Sequence, residues 1–333
     1  MLNSLNIMSK VTVIGDGGWG TALALLLNSK GVRTSLWSYS REYALFLDRD
    51  RENVKFLKGI KIPKGIIITS DMNIVDDCDF VVFAVPCEHI RSVADRFRST
   101  GIKKIVSAAK GIEDKTFKCP SSILAEYFPK SHIAALSGPS ISHEVALNLP
   151  TTVVLAGKGD WRNDVQNLLS TETFRVYTSE DVTGVELGGA LKNVIAIAAG
   201  ISDSLGFGTN AKAALLTRGL AEITRLGVAM GADARTFSGL SGLGDLATTC
   251  MSALSRNRWF GEEIGKGKSV SEVLAATEMA VEGMRTCRSA YHLAKEHKVE
   301  MPITAKVYEI IYEGKEPRGA VRELMTRELK KEH

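Results

Sequence analysis

The chain has 333 residues, of which 44% are hydrophobic and 24% are charged, and its formal net charge is +4. This length favours two domains, and the composition is typical of a globular protein with a large core. The small positive charge suits an anionic small-molecule substrate. No block of lysine and arginine with interleaved aromatic residues predicts binding to nucleic acid.

The first residues and the cysteines favour a cytoplasmic protein. The opening ten residues lack the hydrophobic region and the cleavage site of a signal peptide, and Met8 is an alternative start. No stretch approaches about 18 uninterrupted apolar residues, so we expect no insertion into a membrane. The 5 cysteines are scattered and form no CxxC pair, which indicates reduced thiols.

In the first half of the chain, short β-branched runs alternate with helical patterns. The predicted strands cover residues 11–15, 33–38, 80–86, 103–109, 133–139 and 151–157, and two of the intervening helices cover 19–29 and 89–98. Strand, helix and strand at this spacing predict a largely parallel sheet with right-handed crossovers. The strands are almost continuously apolar, so we expect both faces of the sheet to be covered.

After about residue 180 the pattern changes to helical periodicity. The predicted helices cover residues 183–203, 209–230, 255–266, 270–278, 282–298 and 302–313. Glycine-rich turns separate them, and β-branched runs disappear. The sequence therefore predicts an α/β domain over residues 1–181 and an all-α domain over residues 182–333.

A glycine-rich turn follows the first predicted strand. Gly15, Gly17 and Gly20 have the GxGxxG spacing between a strand and a helix. The first glycine permits a tight turn, the second lets the backbone approach a pyrophosphate, and the third lets the helix pack against the strand. Because a helix N-terminus attracts phosphate, this context predicts a dinucleotide site. The alternative is a glycine turn without a ligand.

The end of the second strand bears on which dinucleotide binds. NAD-binding sheets commonly carry a carboxylate there, which holds the ribose 2′-hydroxyl. This strand instead ends in Ser38, Tyr39, Ser40 and Arg41. Arg41 or Arg33 is a candidate for binding a 2′-phosphate, and the alternative for each is a solvated surface charge. Both NAD(H) and NADP(H) therefore stay open as cofactors.

One lysine interrupts the most apolar helical stretch, "GGALKNVIAIAAG" over residues 188–200. Burying an unpaired ammonium costs several kcal/mol, so Lys192 needs a partner. One interpretation makes that partner a bound ligand, with a carboxylate such as Asp245 in support and small neighbours such as Gly188 leaving room for the ligand. The alternative is a lysine that pairs with Glu186 or Glu222.

The segment "SRNR" over residues 255–258 has the pattern of a helix start. Ser255 is a good N-cap, so free N–H groups are expected at Arg256 and Asn257, where a phosphate would bind. The alternative is an exposed cap with two solvated arginines, Arg256 and Arg258. The histidines show no spacing typical of metal ligands, and we expect no metal site.

Five stretches together resemble one family. They are "GDGGWGTALA", "AAKGIE", "LSGPSISHEVA", the segment 184–219 and "GLSGLGDLATTC" with the "SRNRWFG" that follows it. The chain after residue 9 resembles the bacterial NAD(P)-dependent sn-glycerol-3-phosphate dehydrogenases. The resemblance implies a Rossmann-type doubly wound domain followed by an all-α domain like that of 6-phosphogluconate dehydrogenase. It also implies a cytoplasmic homodimer that reduces dihydroxyacetone phosphate to sn-glycerol 3-phosphate for phospholipid synthesis.

The resemblance also implies roles for individual residues. Lys192 matches the family's general acid and base. The implied substrate contacts are Lys110, Gly138, Ser140, Lys192, Asp245, Ser255, Arg256 and Asn257. The implied cofactor contacts are Gly15, Gly17, Gly18, Trp19, Gly20, Tyr39, Arg41, Lys110, Ser142, Arg256, Ala280 and Glu282.

This chain departs from the family pattern at two positions. Asp16 stands where many relatives have alanine, and its charge should weaken pyrophosphate binding unless the side chain points away. Tyr39 stands where many relatives have arginine, which leaves the preference between NADH and NADPH open. Two other functions remain as alternatives: a 3-hydroxyacid or hydroxyacyl dehydrogenase of similar architecture, and a non-catalytic dinucleotide sensor.

Overall fold

The computed structural model describes residues 9–277, 280–329 and 331–332, so Met8 lies outside the described residues. Two compact units make up the chain. The first contains the residues up to Lys110 together with Lys118–Glu186, and the second contains Gly111–Phe117 together with the chain from Leu187 onward. The predicted boundary after residue 181 remains a proposal. The units differ from it in the placement of residues 111–117 and 182–186.

The first unit contains an eight-stranded sheet within the described residues. Its strands are β1 (Lys10–Ile14), β2 (Arg33–Trp37), β3 (Ile67–Thr69), β4 (Phe80–Phe83), β5 (Lys104–Ser107), β6 (His132–Ser137), β7 (Thr151–Ala156) and β8 (Phe174–Ser179). The strand order is β3-β2-β1-β4-β5-β6-β7-β8. All neighbouring strands are parallel except β6 and β7, which confirms the predicted Rossmann-type doubly wound sheet.

Helices cover this sheet. They are α1 (Gly18–Ser29), α2 (Arg41–Asp50), α3 (Ile90–Arg96), α4 (Pro120–Tyr127), α5 (Ser142–Ala146) and α6 (Trp161–Leu169). Val82 packs into one apolar core, whereas its neighbours Val81 and Phe83 pack into a second. Because successive strand residues point to opposite faces, the two cores lie on the two sides of the sheet. This arrangement explains the almost continuous apolar runs in the strands.

Two strands were not predicted. β3 has only three residues, which is too short for a reliable periodic signal. β8 alternates buried and exposed residues at its start, with Phe174 and Val176 turned inward. That alternation is typical of a strand with one solvated face, and it was present in the sequence.

The second unit is helical, as predicted. Its helices are α7 (Val182–Ser204), α8 (Gly208–Ala229), α9 (Ala234–Phe237), α10 (Asp245–Met251), α11 (Arg256–Gly265), α12 (Val270–Ala275), α13 (Glu282–Glu296), α14 (Pro302–Glu313) and α15 (Pro317–Met325). A π-helical turn, Leu240–Gly244, leads into α10. The predicted helices did not include α9, the π-helical turn, α10 or α15. The first residues of α7 belong to the first unit.

Helix α7 is the central element of the second unit. Glycines let its backbone contact α11 directly: a Cβ on Gly200 would lie 1.9 Å from the carbonyl oxygen of Arg258, and one on Gly261 would lie 2.0 Å from that of Ile197. Among the described residues, α7 is the one helix long and apolar enough to cross a membrane, but 94% of its most apolar stretch is buried in the protein. It is therefore a core helix.

Candidate active site

The glycine turn between β1 and α1 has the geometry that a dinucleotide needs. Gly15 has a φ of +115°, and a Cβ there would lie 2.7 Å from the carbonyl oxygen of Ala84. A Cβ on Gly20 would lie 1.9 Å from the carbonyl oxygen of Gly15. These two glycines are therefore required by packing. Gly17, the N-cap of α1, faces open space, since a Cβ there would meet no atom within 4 Å.

The remaining residues of the turn bring two other segments close. A Cβ on Gly18 would lie 2.6 Å from the carbonyl oxygen of Phe56 and 3.7 Å from Cβ of Ser142. The structure thus places Ser142, a predicted cofactor contact, beside the turn. Trp19 packs against the core, and its buried indole N–H finds no hydrogen-bond partner in the described chain.

The end of β2 carries the predicted coenzyme-selecting residues. Tyr39 is 55% exposed, and the Arg96 guanidinium lies 3.8 Å from the centre of its ring. Arg41 is the exposed first residue of α2. Arg33 is the first residue of β2, at the end of the strand opposite to the glycine turn. The suggestion that Arg33 meets a 2′-phosphate is therefore wrong, because the length of β2 places Arg33 about 13 Å from the carboxyl end of the strand, where a 2′-phosphate would bind.

The side chain of Asp16 points toward the end of β2 and has a partner there. Its carboxylate accepts a hydrogen bond from the hydroxyl of Ser38, the residue that follows β2. Burial raises the pKa of the Asp16 carboxyl, while the Ser38 hydrogen bond and the charge of Lys55 act in the opposite direction. The Asp16 side chain therefore occupies the carboxyl end of β2.

Three predicted substrate contacts lie together in the first unit. The Lys110 ammonium donates to the carbonyl oxygen of Gly138 at 2.9 Å and to the hydroxyl of Ser140 at 3.4 Å. The Ser140 hydroxyl in turn donates to the Gly138 carbonyl at 2.9 Å. Lys110 follows β5 and Gly138 follows β6, so adjacent parallel strands deliver both residues to the same edge of the sheet.

Lys192 lies on α7 and is 6% exposed. Its ammonium forms an ion pair with Asp245 and donates to the hydroxyl of Thr249 at 2.7 Å. Thr249 was not singled out in the sequence. Its signal was its position four residues after Asp245 on α10, where it donates to the Asp245 carbonyl at 2.7 Å. The predicted contact between Lys192 and Asp245 is confirmed.

The two alternative partners of Lys192 are engaged elsewhere. Glu186 accepts hydrogen bonds from the backbone N–H of Ser121 at 2.8 Å and from its hydroxyl at 2.5 Å. Glu222 accepts from the backbone N–H of Ile303 at 2.6 Å and from that of Thr304 at 3.1 Å. Burial raises the pKa of each of these two carboxyls to about 7.

The small residue Gly188 does not leave room for a ligand, and that interpretation was wrong. A Cβ on Gly188 would lie 2.5 Å from the carbonyl oxygen of Ser241 in the π-helical turn. Backbone therefore fills the space. Because Asp245 follows that turn directly, the close approach of α7 to the turn helps place Asp245 beside Lys192.

The start of α11 has the predicted cap. The Ser255 hydroxyl accepts from the backbone N–H of Arg258 at 3.3 Å. Arg256 is exposed and has no hydrogen bond or ion pair with the part of the chain that the structure describes. Arg258 is not solvated as the alternative required, since it pairs with Asp203 and Glu262 at 2.8 and 2.7 Å.

The N-termini of α11 and α13 meet beside α7. The side-chain oxygen of Asn257 accepts from the backbone N–H of Gly283 at 2.9 Å. A Cβ on Gly283 would lie 2.8 Å from the carbonyl oxygen of Asn193, the neighbour of Lys192. Asn257 therefore has its side-chain N–H₂ left for a ligand. Glu282 is the first residue of α13, and Ala280 lies two residues before it.

No group of three or more His, Cys, Asp or Glu side chains in the described ranges is arranged to hold a metal ion.

Comparison with known proteins agrees with this geometry. A family model described as NAD-dependent glycerol-3-phosphate dehydrogenase N-terminus matches residues 10–161, and the corresponding C-terminus model matches residues 181–322. The chain is 50% identical over 330 residues to the glycerol-3-phosphate dehydrogenase [NAD(P)+] of Citrifermentans bemidjiense, covering 97% of this chain and 98% of that one. It is 47% identical over 329 residues to that of Chlorobium limicola, covering 97% and 99%. The crystal structure of glycerol-3-phosphate dehydrogenase from Coxiella burnetii superposes with a TM-score of 0.93 at 36% identity, covering 97% of this chain and 100% of that one. The chain belongs to the NAD-dependent glycerol-3-phosphate dehydrogenase family.

Proposed function

We propose that the protein catalyses the reversible, NAD(P)H-dependent reduction of dihydroxyacetone phosphate to sn-glycerol 3-phosphate. The observation that carries this proposal is the buried pair of Lys192 and Asp245, since an ammonium held in a dry site is suited to proton transfer. We further propose that the product supplies the glycerophospholipid backbone and that the enzyme acts in the cytoplasm as a homodimer.

The first unit holds the coenzyme. Gly17 supports this role, because its position is open and the unpaired N–H groups of α1 begin there. The proposed contacts in this unit are Gly15, Gly17, Gly18, Trp19, Gly20, Tyr39, Arg41, Lys110 and Ser142. From the family resemblance we add Arg256, Ala280 and Glu282. When bound, the reduced coenzyme supplies the hydride that the substrate carbonyl carbon accepts.

Lys192 handles the proton. As negative charge develops on the substrate carbonyl oxygen, the ammonium stabilises it and then delivers a proton from Nζ, so that the ketone oxygen becomes a hydroxyl. In the reverse direction the neutral amine removes that proton. Asp245 and Thr249 hold Nζ by an ion pair and a hydrogen bond of 2.7 Å, which fixes the position of the ammonium.

The start of α11 holds the substrate phosphate. Free N–H groups and the positive end of the helix dipole favour an anion there. Arg256, which has no partner among the described residues, adds a charge-assisted hydrogen bond worth about 1.5–3 kcal/mol. Asn257 offers its side-chain N–H₂. Lys110, Gly138, Ser140 and Ser255 complete the proposed contacts. Because phosphate binding positions the carbonyl, a substrate without phosphate should lose kcat as well as affinity.

Steady-state kinetics test this proposal. NADH or NADPH oxidation is followed with dihydroxyacetone phosphate, with dihydroxyacetone and with a 3-keto acid. We expect turnover with the phosphorylated ketone and a large loss of kcat/KM without the phosphate. Arg256→Ala should raise KM for the phosphate ester, whereas Arg235→Ala, at an exposed arginine paired with Asp233, serves as the matched control.

Other outcomes would replace the proposal. Preference for the 3-keto acid would indicate a hydroxyacid dehydrogenase. Coenzyme binding without turnover of any of the three compounds would indicate a dinucleotide sensor. Sedimentation equilibrium tests the homodimer separately, because it should give twice the chain mass of 36.1 kDa.

A further inference from the structure

The carboxylate of Asp16 and the hydroxyl of Ser38 form a hydrogen-bonded pair at the carboxyl end of β2. Asp16 belongs to the glycine turn after β1, and Ser38 follows the last residue of β2. Ser38 is fully buried, whereas Asp16 is only partly buried. One oxygen atom of the carboxylate is therefore hydrogen-bonded to the residue that follows β2, and the residue that carries it is partly open to solvent.

The position of Asp16 is fixed by further hydrogen bonds. The side-chain N–H₂ of Asn53 donates to the Asp16 carbonyl oxygen and to the Thr21 hydroxyl, both at 2.8 Å. The Tyr43 hydroxyl donates to the Asn53 side-chain oxygen at 2.8 Å. Burial, with the nearby charge of Asp16, raises the pKa of Tyr43 to about 12. The backbone that carries the carboxylate is therefore preorganised.

The carboxyl end of the second strand is where dinucleotide-binding sheets distinguish their coenzymes. A carboxylate there accepts from the 2′-hydroxyl of the adenosine ribose, and an arginine there accommodates a 2′-phosphate. In this chain β2 itself ends without a carboxylate. The glycine turn delivers one to the same place. We propose that Asp16 is the coenzyme-selecting residue and that it favours NADH by excluding the 2′-phosphate of NADPH, an inference that rests on the proposed coenzyme site.

The hydroxyl of Ser38 adds to this selection. A serine hydroxyl has a single proton to donate. In this structure that proton is directed to Asp16, with the Ser40 carbonyl at 3.0 Å as the second acceptor. Ser38 therefore has no proton left for a phosphate oxygen. Loss of the Asp16 carboxylate removes a like charge and leaves the Ser40 carbonyl as the competing acceptor of this proton.

Three cations near this end of the sheet would favour the 2′-phosphate of NADPH instead. Lys55 acts on the charge of Asp16, Arg41 begins α2, and Arg96 stacks on Tyr39. All three side chains are exposed, so salt and water screen their charges more strongly than that of the partly buried Asp16. The carboxylate should therefore decide the preference.

Binding of two ligands that lack nicotinamide tests the inference without using turnover. Isothermal titration calorimetry is carried out with ADP-ribose and with its 2′-phosphate. The wild-type protein should bind ADP-ribose more tightly by about tenfold or more, which corresponds to about 1.4 kcal/mol, since like charges at an interface disfavour binding. Asp16→Asn should lower this ratio by about tenfold, chiefly through tighter binding of the 2′-phosphate.

Two further variants make the test specific. Glu42→Gln removes an exposed carboxylate from the first turn of α2 and should leave the ratio unchanged. Ser38→Ala keeps the Asp16 carboxylate and should keep the preference for ADP-ribose. Asp16→Ala serves as the second carboxylate-free variant if Asp16→Asn does not fold.

Distinct results would overturn the inference. Equal or tighter binding of the 2′-phosphate by the wild-type protein, or an unchanged ratio in the Asp16 variants, would show that Asp16 does not select the coenzyme while leaving the proposed function intact. If the wild-type protein bound neither ligand, the coenzyme site and the inference would both be wrong.

Discussion

The ammonium of Lys192 contacts the carboxylate of Asp245, and their side chains are only 7% and 1% exposed. The two residues are 53 positions apart in the sequence. In such a dry site each charge compensates the other, so the loss of one partner should destabilise the fold as well as disturb the proposed proton transfer. The two roles can be separated by the choice of substitution.

Lys192→Arg should reduce turnover while keeping a folded protein. Arginine retains the positive charge opposite Asp245, but its guanidinium does not give up a proton at neutral pH. We expect kcat to fall by about 10²- to 10⁴-fold, the usual contribution of general acid catalysis. The measurement is coenzyme oxidation with dihydroxyacetone phosphate, with circular dichroism to verify folding. Lys212→Arg, at the ion pair with Asp203, is the matched control, and normal turnover in Lys192→Arg would rule out the proposed proton donor.

Asp245→Asn should destabilise the protein, because it leaves the buried ammonium of Lys192 without a compensating charge. Removal of one partner from a buried ion pair costs about 3–5 kcal/mol. The double variant Lys192→Met with Asp245→Asn should recover much of that loss, since it removes both charges. Urea denaturation followed by circular dichroism compares the midpoints. Equal midpoints for the two variants would show that the pair does not control stability.

The sequence correctly predicted the features of the site that depend on residues close together in the chain. The spacing of Gly15, Gly17 and Gly20 predicted the tight turn, the open position and the close packing, because each depends on neighbouring backbone. The Ser255 cap followed from the sequence of one helical turn. The family motifs predicted that Lys192 and Asp245 belong to the same site. Composition and periodicity alone left Glu186 and Glu222 open as partners of Lys192.

Long-range contacts explain what was missed. Arg258 pairs with Asp203, 55 residues earlier, and no local pattern distinguishes that arginine from a solvated one. The role of Gly188 depends on the carbonyl of Ser241, which approaches from a turn that was not predicted. The sequence alone did not predict the contact between Asp16 and Ser38, because that contact depends on β1 and β2 being neighbours in the sheet.

Glu186→Gln should reduce the dependence of stability on pH. The folded protein holds the pKa of Glu186 at about 7, above its ordinary value of 4.5, so the folded state binds the proton more tightly than the unfolded state does. The contribution of Glu186 to stability is therefore greatest below pH 4.5, falls as the pH rises toward 7, and is level above that. The loss is on the order of 3 kcal/mol. Glutamine accepts from the Ser121 N–H and donates to its hydroxyl, so it keeps both bonds without the charge.

Denaturant midpoints between pH 4.5 and 8 measure this effect. The variant should lose part of the slope and keep the part that comes from Glu222, whose pKa is also raised to about 7 by burial. Above pH 7 the variant should be at least as stable as the wild-type protein. An unchanged slope would show that Glu186 does not titrate in this range.

Gly17→Ala should weaken coenzyme binding with little effect on stability, whereas Gly20→Ala should lower stability. The Gly17 backbone has a φ of −66°, which alanine adopts without strain, and a Cβ there meets no protein atom within 4 Å. We therefore expect the unfolding free energy of Gly17→Ala to change by less than about 1 kcal/mol. Its Kd for NADH should rise by at least about tenfold, since the new methyl group enters the space where the pyrophosphate approaches the backbone.

Gly20→Ala, whose Cβ would lie 1.9 Å from the Gly15 carbonyl, should instead lower stability by about 1–3 kcal/mol or more. Fluorescence titration and urea denaturation of both variants give the comparison, and a Gly17→Ala protein with unchanged Kd would place the coenzyme away from this turn.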